Sequence, residues 1–585
     1  MSGTRDSVTR RQVLAGAGAA TAALGAATWL PTRATAADQW DHEADIVVVG
    51  SGAGASTAAI IAHENGDSVT VLEKAPILGG TSAKSAGVLW VPNNFVLKAR
   101  GVDDKRDDCV RFMARFSYPE RFNPSLPDLG IGVRELAMLE ACYDNCSPAI
   151  DKLRQVGALA VAEWRMFALD RPATDYLDHV PENKVPAGRA LGPLKADGKT
   201  VGFGADLMVH LNGALKQRSI PILTNHRVVR VVLNDAGRVI GVQAEAAGKT
   251  VTVRARKAVI FGSGGYAHNP EFVATYQRVP IYGACAQPWS TGDFINIGGA
   301  IGARLGYMGG AWRTQILLEE ALQSPNLAAG VFFPPGDSML QVNRYGKRAM
   351  NEKRNYNDRT NAHGHFDETE VEYPNHLMFM IYDQRSAEGF AGAYPLPAKP
   401  SGASYVLSAD TLEGLSAKLA ARLQETASRT GGFSLAPGFT GNLKATIAHF
   451  NAGAKSGHDD EFGRGKHAYD TEWHDVFSPM AAGTHWPRNP HPNRTLHPLA
   501  AKGPYYAIIL ASGCLDTNGG PAIDVKARVL NTRDEPIPGL YGAGNCIASP
   551  SRYAYWGAGH TLGSAITWGY IAANAAHLES PSATA

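Results

Sequence analysis

Charge is scarce in this 585-residue sequence: only 19% of its residues are Asp, Glu, Lys or Arg, and the net charge is +2. Residues 1–36 hold Arg5, Arg10, Arg11 and Arg33 against Asp6, a surplus of three, which leaves −1 for everything after them. A body so close to neutral has no electrostatic footprint for nucleic acid. Cysteine is scarce too. The six cysteines (Cys109, Cys142, Cys146, Cys285, Cys514 and Cys546) form no Cys-x-x-Cys pair and no Cys-x-x-Cys-His run. That indicates neither an iron–sulfur cluster nor a c-type haem, and they read as buried thiols. Six of the 18 histidines fall between His458 and His497, yet no two are three or four apart and no cysteine joins them. No metal site is expected. No stretch reads as a stable membrane span either, because the segment nearest the N-terminus is only mildly apolar. Glycine, by contrast, is plentiful: 63 glycines and an apolar share of 44% imply many tight turns and enough core for one large or two ordinary domains.

The first residues carry their own signal. Thr9-Arg10-Arg11-Gln12-Val13-Leu14 precedes an Ala/Gly-rich run to about residue 30, and Ala34-Thr35-Ala36 supplies the small residues a signal peptidase needs. This resembles a twin-arginine signal over 1–36. It implies export in folded form to the periplasm or beyond, with the mature chain starting near Ala37.

Residues 45–87 organise the rest. Asp45-Ile46-Val47-Val48-Val49 is an apolar, mostly β-branched run that suits a strand buried on both faces, and it enters Gly50-Ser51-Gly52-Ala53-Gly54-Ala55 directly. Gly50 permits the tight turn, Gly52 lets backbone N–H groups approach a pyrophosphate, and Ala55 is small enough for close helix–strand packing. A helix over 56–65 then aims its positive end at the phosphates. A second strand from Ser68 delivers Glu73, 23 residues past Gly50, to accept hydrogen bonds from ribose hydroxyls. Strand, glycines, helix and acid at this spacing make a dinucleotide site. Lys74, then Gly79-Gly80-Thr81-Ser82 and Ser85-Ala86-Gly87, suit a loop lying against a diphosphate and an isoalloxazine. This run resembles the FAD site of the fumarate reductase and succinate dehydrogenase flavoprotein superfamily. The resemblance implies FAD, and no attachment histidine beside the loop implies that it is bound non-covalently.

The same resemblance implies the architecture: α/β (α+β overall), a two-part FAD-binding Rossmann-like domain with an inserted α+β substrate-capping domain. Residues 41–310 form its first part, 311–501 the capping domain and 502–577 the second part. Residues 88–200 read as mostly helical and without chemistry. A β-ribbon turning at Asp235–Gly237 follows, then a strand ending at Gly264-Gly265, and Thr291-Gly292-Asp293 matches the superfamily's second flavin-side loop. The FAD domain is expected to resume with the buried strand at Gly503-Pro504-Tyr505-Tyr506, to reach Gly544-Asn545, and to close with a helix over 563–576 facing the flavin.

Tyr555-Trp556-Gly557-Ala558-Gly559-His560-Thr561-Leu562 resembles the C-terminal signature of the 3-ketosteroid Δ1-dehydrogenase family. Gly463-Arg464-Gly465 with Tyr469-Asp470, and Asn351-Glu352 followed by Tyr356, resemble it as well. In that family a tyrosine and a glycine N–H polarise the substrate ketone, matching Tyr555 and Gly559, and a second tyrosine takes the neighbouring proton, matching Tyr356. The hydride then goes to flavin N5. A third tyrosine assists, and Tyr118 and Tyr143 are the candidates. In fumarate reductases the position of Tyr356 carries an arginine, and a second arginine and a histidine fall near Thr561 and Asp516. Those basic residues are missing here, which counts against the carboxylate version of the alternative reading, an exported reductase of enone or acrylate-type acceptors. The resemblance thus implies a dehydrogenase that introduces a C=C bond beside the ketone of a steroid-like or smaller cyclic substrate. With no relay centre in the chain, electrons leave through an external acceptor such as a quinone or a redox protein.

Overall fold

The computed structural model describes residues 32–33, 40–166, 170–400, 402–475 and 488–582. Arg10, Arg11 and the rest of the proposed signal before Thr32 lie outside the described residues. The opening motif folds as its spacing predicts. Strand β1 (His42–Val49) leads into helix α1 (Ala53–Glu64), and β2 (Val69–Glu73) returns parallel to β1, with Ile46 opposite Val69 and Val49 opposite Leu72. Helix α1 starts three residues before the predicted position because Gly50 and Gly52 complete the turn between them.

These strands belong to a nine-stranded sheet. Next to β1 runs β3 (Lys249–Phe261), whose first half pairs antiparallel with the predicted ribbon and whose second half runs parallel to β1. On its other side β3 meets β5 (Pro536–Gly542), so the sheet draws on both ends of the sequence. Helix α1 is buried from Ala53 to Ala62 because α6 (His560–His577) lies across it. The crossing is very close: a side chain at Gly569 would place its Cβ 2.2 Å from the Gly54 carbonyl oxygen. Small residues on both helices make that approach sterically possible.

The intervening residues build a second lobe, the inserted one, whose core joins a five-stranded antiparallel sheet to helix α5 (Phe439–Ser456). Its longest strand is β4 (Tyr505–Thr517), paired with Ala311–Leu317, Leu377–Asp383 and Leu407–Ala409. The sequence reading opens the second part of the FAD-binding domain with this strand, whereas its pairing lies in the five-stranded sheet. A run such as Tyr505-Tyr506-Ala507-Ile508-Ile509-Leu510 says that a strand is buried on both faces, not which sheet buries it. Strand β4 nonetheless ends at the cofactor side, where it delivers Asp516 and Thr517.

Residues 88–200 are less helical than predicted. Helices α2 (Arg106–Ser117) and α3 (Val133–Gln155) are present, but Val161–Glu163 and Ala190–Pro193 form a small antiparallel sheet with Leu89–Trp90. A buried ionic knot fixes the loop between those strands. Arg189, 1% exposed, binds Asp104 at 2.7 Å and Asp175 at 2.6 Å, and Asp175 also accepts from the Trp90 indole at 2.9 Å. All six cysteines are buried and unpaired. Among the described residues no helix is long and apolar enough to cross a membrane, and no cluster of three or more His, Cys, Asp or Glu is placed to hold a metal.

Candidate active site

A cleft enclosing about 1240 Å³ of atom-free space, its open mouth included, runs from the β1–α1 turn to the start of α6. Of the residues singled out from sequence, Gly50, Gly52, Gly54, Glu73, Lys74, Gly80, Thr81, Ser82, Ser85, Gly264, Asp293, Gly544, Asn545, Thr561 and Leu562 line it. Residues as far apart in sequence as Gly50 and Leu562 are thus brought to one surface. Ala55, Gly79, Ala86, Gly87, Gly265, Thr291, Gly292 and Gly559 do not line it. Several of these let the walls approach one another instead: a Cβ at Gly87 would sit 2.5 Å from the Phe203 carbonyl carbon. Ala55 does the packing its position predicts, since a Cβ on Gly262 would lie 2.7 Å from its own. Ser51, His226, Ser290, Trp312, Leu515 and Asp516 line the cleft without having been predicted.

The cleft fits FAD by its chemistry. Gly50, at φ +106°, bends the chain where a side chain would collide with the Gly262 carbonyl oxygen at 2.5 Å. The first-turn N–H groups of α1 have no intrahelical acceptor, and with the helix dipole they favour a diphosphate. Ala53 N–H is already engaged by Ser82 Oγ at 3.0 Å, which ties the second glycine loop to the first. Glu73 is buried; its carboxylate accepts from Ser51 Oγ at 2.7 Å and Ala75 N–H at 2.8 Å, and it lines the cleft. Lys74 binds Thr291 Oγ1 at 2.7 Å and Asp293 at 2.9 Å, and Arg227 reaches Asp293 at 2.9 Å. Burial alone would raise the Asp293 carboxyl, but the two cations outweigh it and hold it below its usual range.

Beyond the inner end of the cleft three tyrosines meet. Tyr356 opens a short helix, α4 (Tyr356–Thr360), on the inserted lobe, and Tyr555 lies just before α6. The third is Tyr176, from the loop that Arg189 and Asp175 hold. Its hydroxyl is 3.0 Å from that of Tyr356, and its ring stacks on Tyr555 with centroids 5.2 Å apart. The Tyr555 hydroxyl has the side chains of Tyr356 and Thr561 as polar neighbours. This corrects the reading of the third tyrosine. Tyr118 bonds the Pro550 carbonyl at 3.3 Å and Tyr143 bonds the Asp104 carbonyl, so neither reaches the cluster. It also brings a side chain from residues 88–200 into this cluster.

Burial pushes all three phenols above their usual range, and for Tyr356 the neighbouring Tyr176 and Tyr555 add to the effect. Around them stand Trp312, Tyr469, Trp473 and the partly buried Phe332 and Phe333, so the three phenols sit in one buried aromatic cluster. Gly559 is the N-cap of α6, at φ +87°, and a side chain there would drive its Cβ to 2.3 Å from the Val88 carbonyl carbon. Its N–H takes no acceptor among the described residues. Arg464 proves to be a clamp inside the inserted lobe: fully buried, it bonds the Met339 carbonyl at 2.7 Å and lies 3.4 Å from Glu352.

Residues 45–562 match the family model described as FAD binding domain. Over 91% of this chain and 97% of the relative, the sequence is 32% identical to 3-oxosteroid 1-dehydrogenase of Mycolicibacterium smegmatis. The chain belongs to the FAD binding domain family, in its 3-ketosteroid Δ1-dehydrogenase-like branch. It is 31% identical to 4-oxocyclohexanecarboxylate 2-dehydrogenase of Sinomonas cyclohexanicum over 90% of this chain and 92% of that one. The crystal structure of 3-ketosteroid Δ1-dehydrogenase from Sterolibacterium denitrificans, in complex with 1,4-androstadiene-3,17-dione, matches the fold with a TM-score of 0.72. Identity there is 26%, covering 92% of this chain and 99% of the other. The protein is an FAD-dependent oxidoreductase of CH–CH bonds within the fumarate reductase and succinate dehydrogenase superfamily.

Proposed function

We propose that this flavoprotein desaturates a ring ketone at the carbon pair beside the carbonyl, on a 3-oxosteroid or a 4-oxocyclohexyl ring. The observation that carries the reading is the cluster of Tyr176, Tyr356 and Tyr555, which meets the cleft that fits FAD through Thr561, a neighbour of the Tyr555 hydroxyl. Tyr555 O–H and Gly559 N–H are the two donors to the ketone oxygen. Charge gathers on that oxygen as the adjacent C–H ionises, and donors aimed at it lower the barrier. Tyr356 accepts the proton, and Tyr176, hydrogen-bonded to it, shares the change in charge. Bound FAD supplies the acceptor for the second hydrogen with its electron pair. The surrounding aromatics exclude water from the ionising carbon.

A dicarboxylate acceptor fits these residues poorly. The resemblance puts Tyr356 where fumarate reductases carry an arginine, with a second arginine near Thr561 and a histidine near Asp516. Asp516 is a buried acid bonded by Gly265 N–H at 3.1 Å and Asn545 Nδ2 at 3.2 Å. The decisive experiment mixes the oxidised holoenzyme anaerobically with a panel of 3-oxosteroids and substituted cyclohexanones and follows the visible flavin band. Bleaching by at least one ring ketone, and recovery of colour on adding a soluble quinone, is the expected result. A panel that leaves the band untouched, from an enzyme that dithionite reduces normally, would overturn the reading.

The twin-arginine resemblance supports export of the folded, FAD-loaded protein, with a quinone or redox protein outside the cytoplasm as electron acceptor. Changing Arg10 and Arg11 together to lysine is expected to leave FAD-loaded protein in the cytoplasm. Unimpaired secretion of that variant would exclude the route.

A further inference from the structure

Tyr176 and Tyr356 come from different lobes, so their 3.0 Å hydroxyl contact depends on how the lobes are fastened there. The fastening lies two residues before Tyr356. Arg354, on the inserted lobe, donates from Nη2 to the backbone carbonyl of Tyr176 at 2.7 Å. Its Nη1 donates to Asp470 at 3.0 Å and lies 3.6 Å from Asp178, which belongs to the same loop as Tyr176. Asp178 in turn accepts from Tyr469 N–H, on the inserted lobe, at 3.0 Å. Asp470 is fully buried and fixed by Asn351 Nδ2 and Gly465 N–H, each at 2.9 Å, so the guanidinium is held from behind as well as in front. The plane of Arg354 also covers the Tyr469 ring at 5.0 Å.

We propose that Arg354 is a positioning residue for proton abstraction: it grips the main chain of Tyr176 and thereby sets the Tyr176–Tyr356 hydroxyl pair across the lobe boundary. The proposal rests on the reading of Tyr356 as the base. Arginine suits the task because its planar fork donates in two fixed directions at once, to a carbonyl on one lobe and a carboxylate on the other, which an ammonium does less well. No part of this clasp touches the cleft that fits FAD, so its removal separates alignment of the tyrosines from cofactor binding.

The test is a double-mutant cycle on the holoenzyme, read by anaerobic single-turnover flavin reduction with a ketone from the panel. Arg354→Met is expected to slow reduction about 10²-fold, the scale of an ångström-sized misplacement. FAD content and equilibrium affinity for the ketone should stay near the parent's. Tyr176→Phe alone is expected to cost about tenfold, the worth of one hydrogen bond. Added to Arg354→Met it should cost less than about twofold, because the contact it removes is already lost. A crystal structure of Arg354→Met should show the two hydroxyls beyond about 3.5 Å. Arg354→Lys, which keeps the charge and one donor direction, serves if the methionine variant does not fold, and is expected to lose about tenfold. Factors that simply multiply, an Arg354→Met enzyme at the parent rate, or slowing accompanied by loss of FAD would each overturn the proposal. If Tyr356→Phe itself reduces flavin at the parent rate, the base assignment falls instead, and the two failures are told apart.

Discussion

Tyr356→Phe is expected to slow anaerobic flavin reduction by about 10²–10⁴-fold, the range for removing a positioned general base. FAD content and ketone affinity should be nearly unchanged. The substitution leaves the ring where it is, edge-on to Phe332 at 5.0 Å and to Tyr176 and Tyr555 at 5.5 Å each. It removes only the hydroxyl, and with it the partner of the Tyr176 hydroxyl, a loss of about 1–3 kcal/mol in stability for one stranded buried group. Burial and the neighbouring phenols hold the Tyr356 proton above the usual range, so the deprotonated form that accepts a proton is the minority form near neutrality. Raising the pH favours it. The parent's reduction rate should therefore climb with pH and reach no plateau below about pH 10, the ordinary pKa of a phenol. A packing role predicts another pattern: Tyr356→Phe would melt lower and turn over normally.

The cofactor cradle was legible because its determinants are local. Strand, glycine turn, helix and Glu73 fall within about thirty residues, where side-chain type and spacing alone dictate which groups meet. Tyr356 and Tyr555 were legible only through the residues around them, since nothing in a lone tyrosine marks it as reactive. Tyr176 was not legible at all. It sits in a loop without periodicity, and its place is set by Asp175, Arg189 and the clasp of Arg354, partners up to 178 positions away. The one trace it leaves in sequence is an acid beside a tyrosine in an otherwise polar loop, which hundreds of surface turns share. The sheet that holds β4 was hidden for a related reason. Burial on both faces is written in the strand, whereas the identity of its neighbours is written in Ala311–Leu317 and Leu377–Asp383. What spacing does not encode here is the lobe boundary, and the proton-handling groups lie across it.

The Tyr555 hydroxyl is expected to matter by a different mechanism and to show it in a different observable. Tyr555→Phe keeps the stack on Tyr176 at 5.2 Å and the edge contact with Trp312 at 5.5 Å, so the aromatic cluster stays packed. One of two donors to the developing oxyanion disappears, which typically costs about 10²–10³ in turnover. The Gly559 N–H remains, so activity does not vanish. Because a ketone oxygen carries less charge than the enolate it becomes, the loss should fall mainly on the rate constant, with ketone affinity changed by less than about tenfold. The pH profile discriminates between the two tyrosines. With Tyr356 intact, the rise of rate with pH should persist in Tyr555→Phe, displaced downward in parallel with the parent. Tyr356→Phe should lose that rise, since the group whose ionisation produces it is gone. If instead the Tyr555→Phe profile is flat and the Tyr356→Phe profile still climbs, the proton goes to Tyr555, and the donor role must be reassigned to Tyr356, whose hydroxyl is bonded by that of Tyr176.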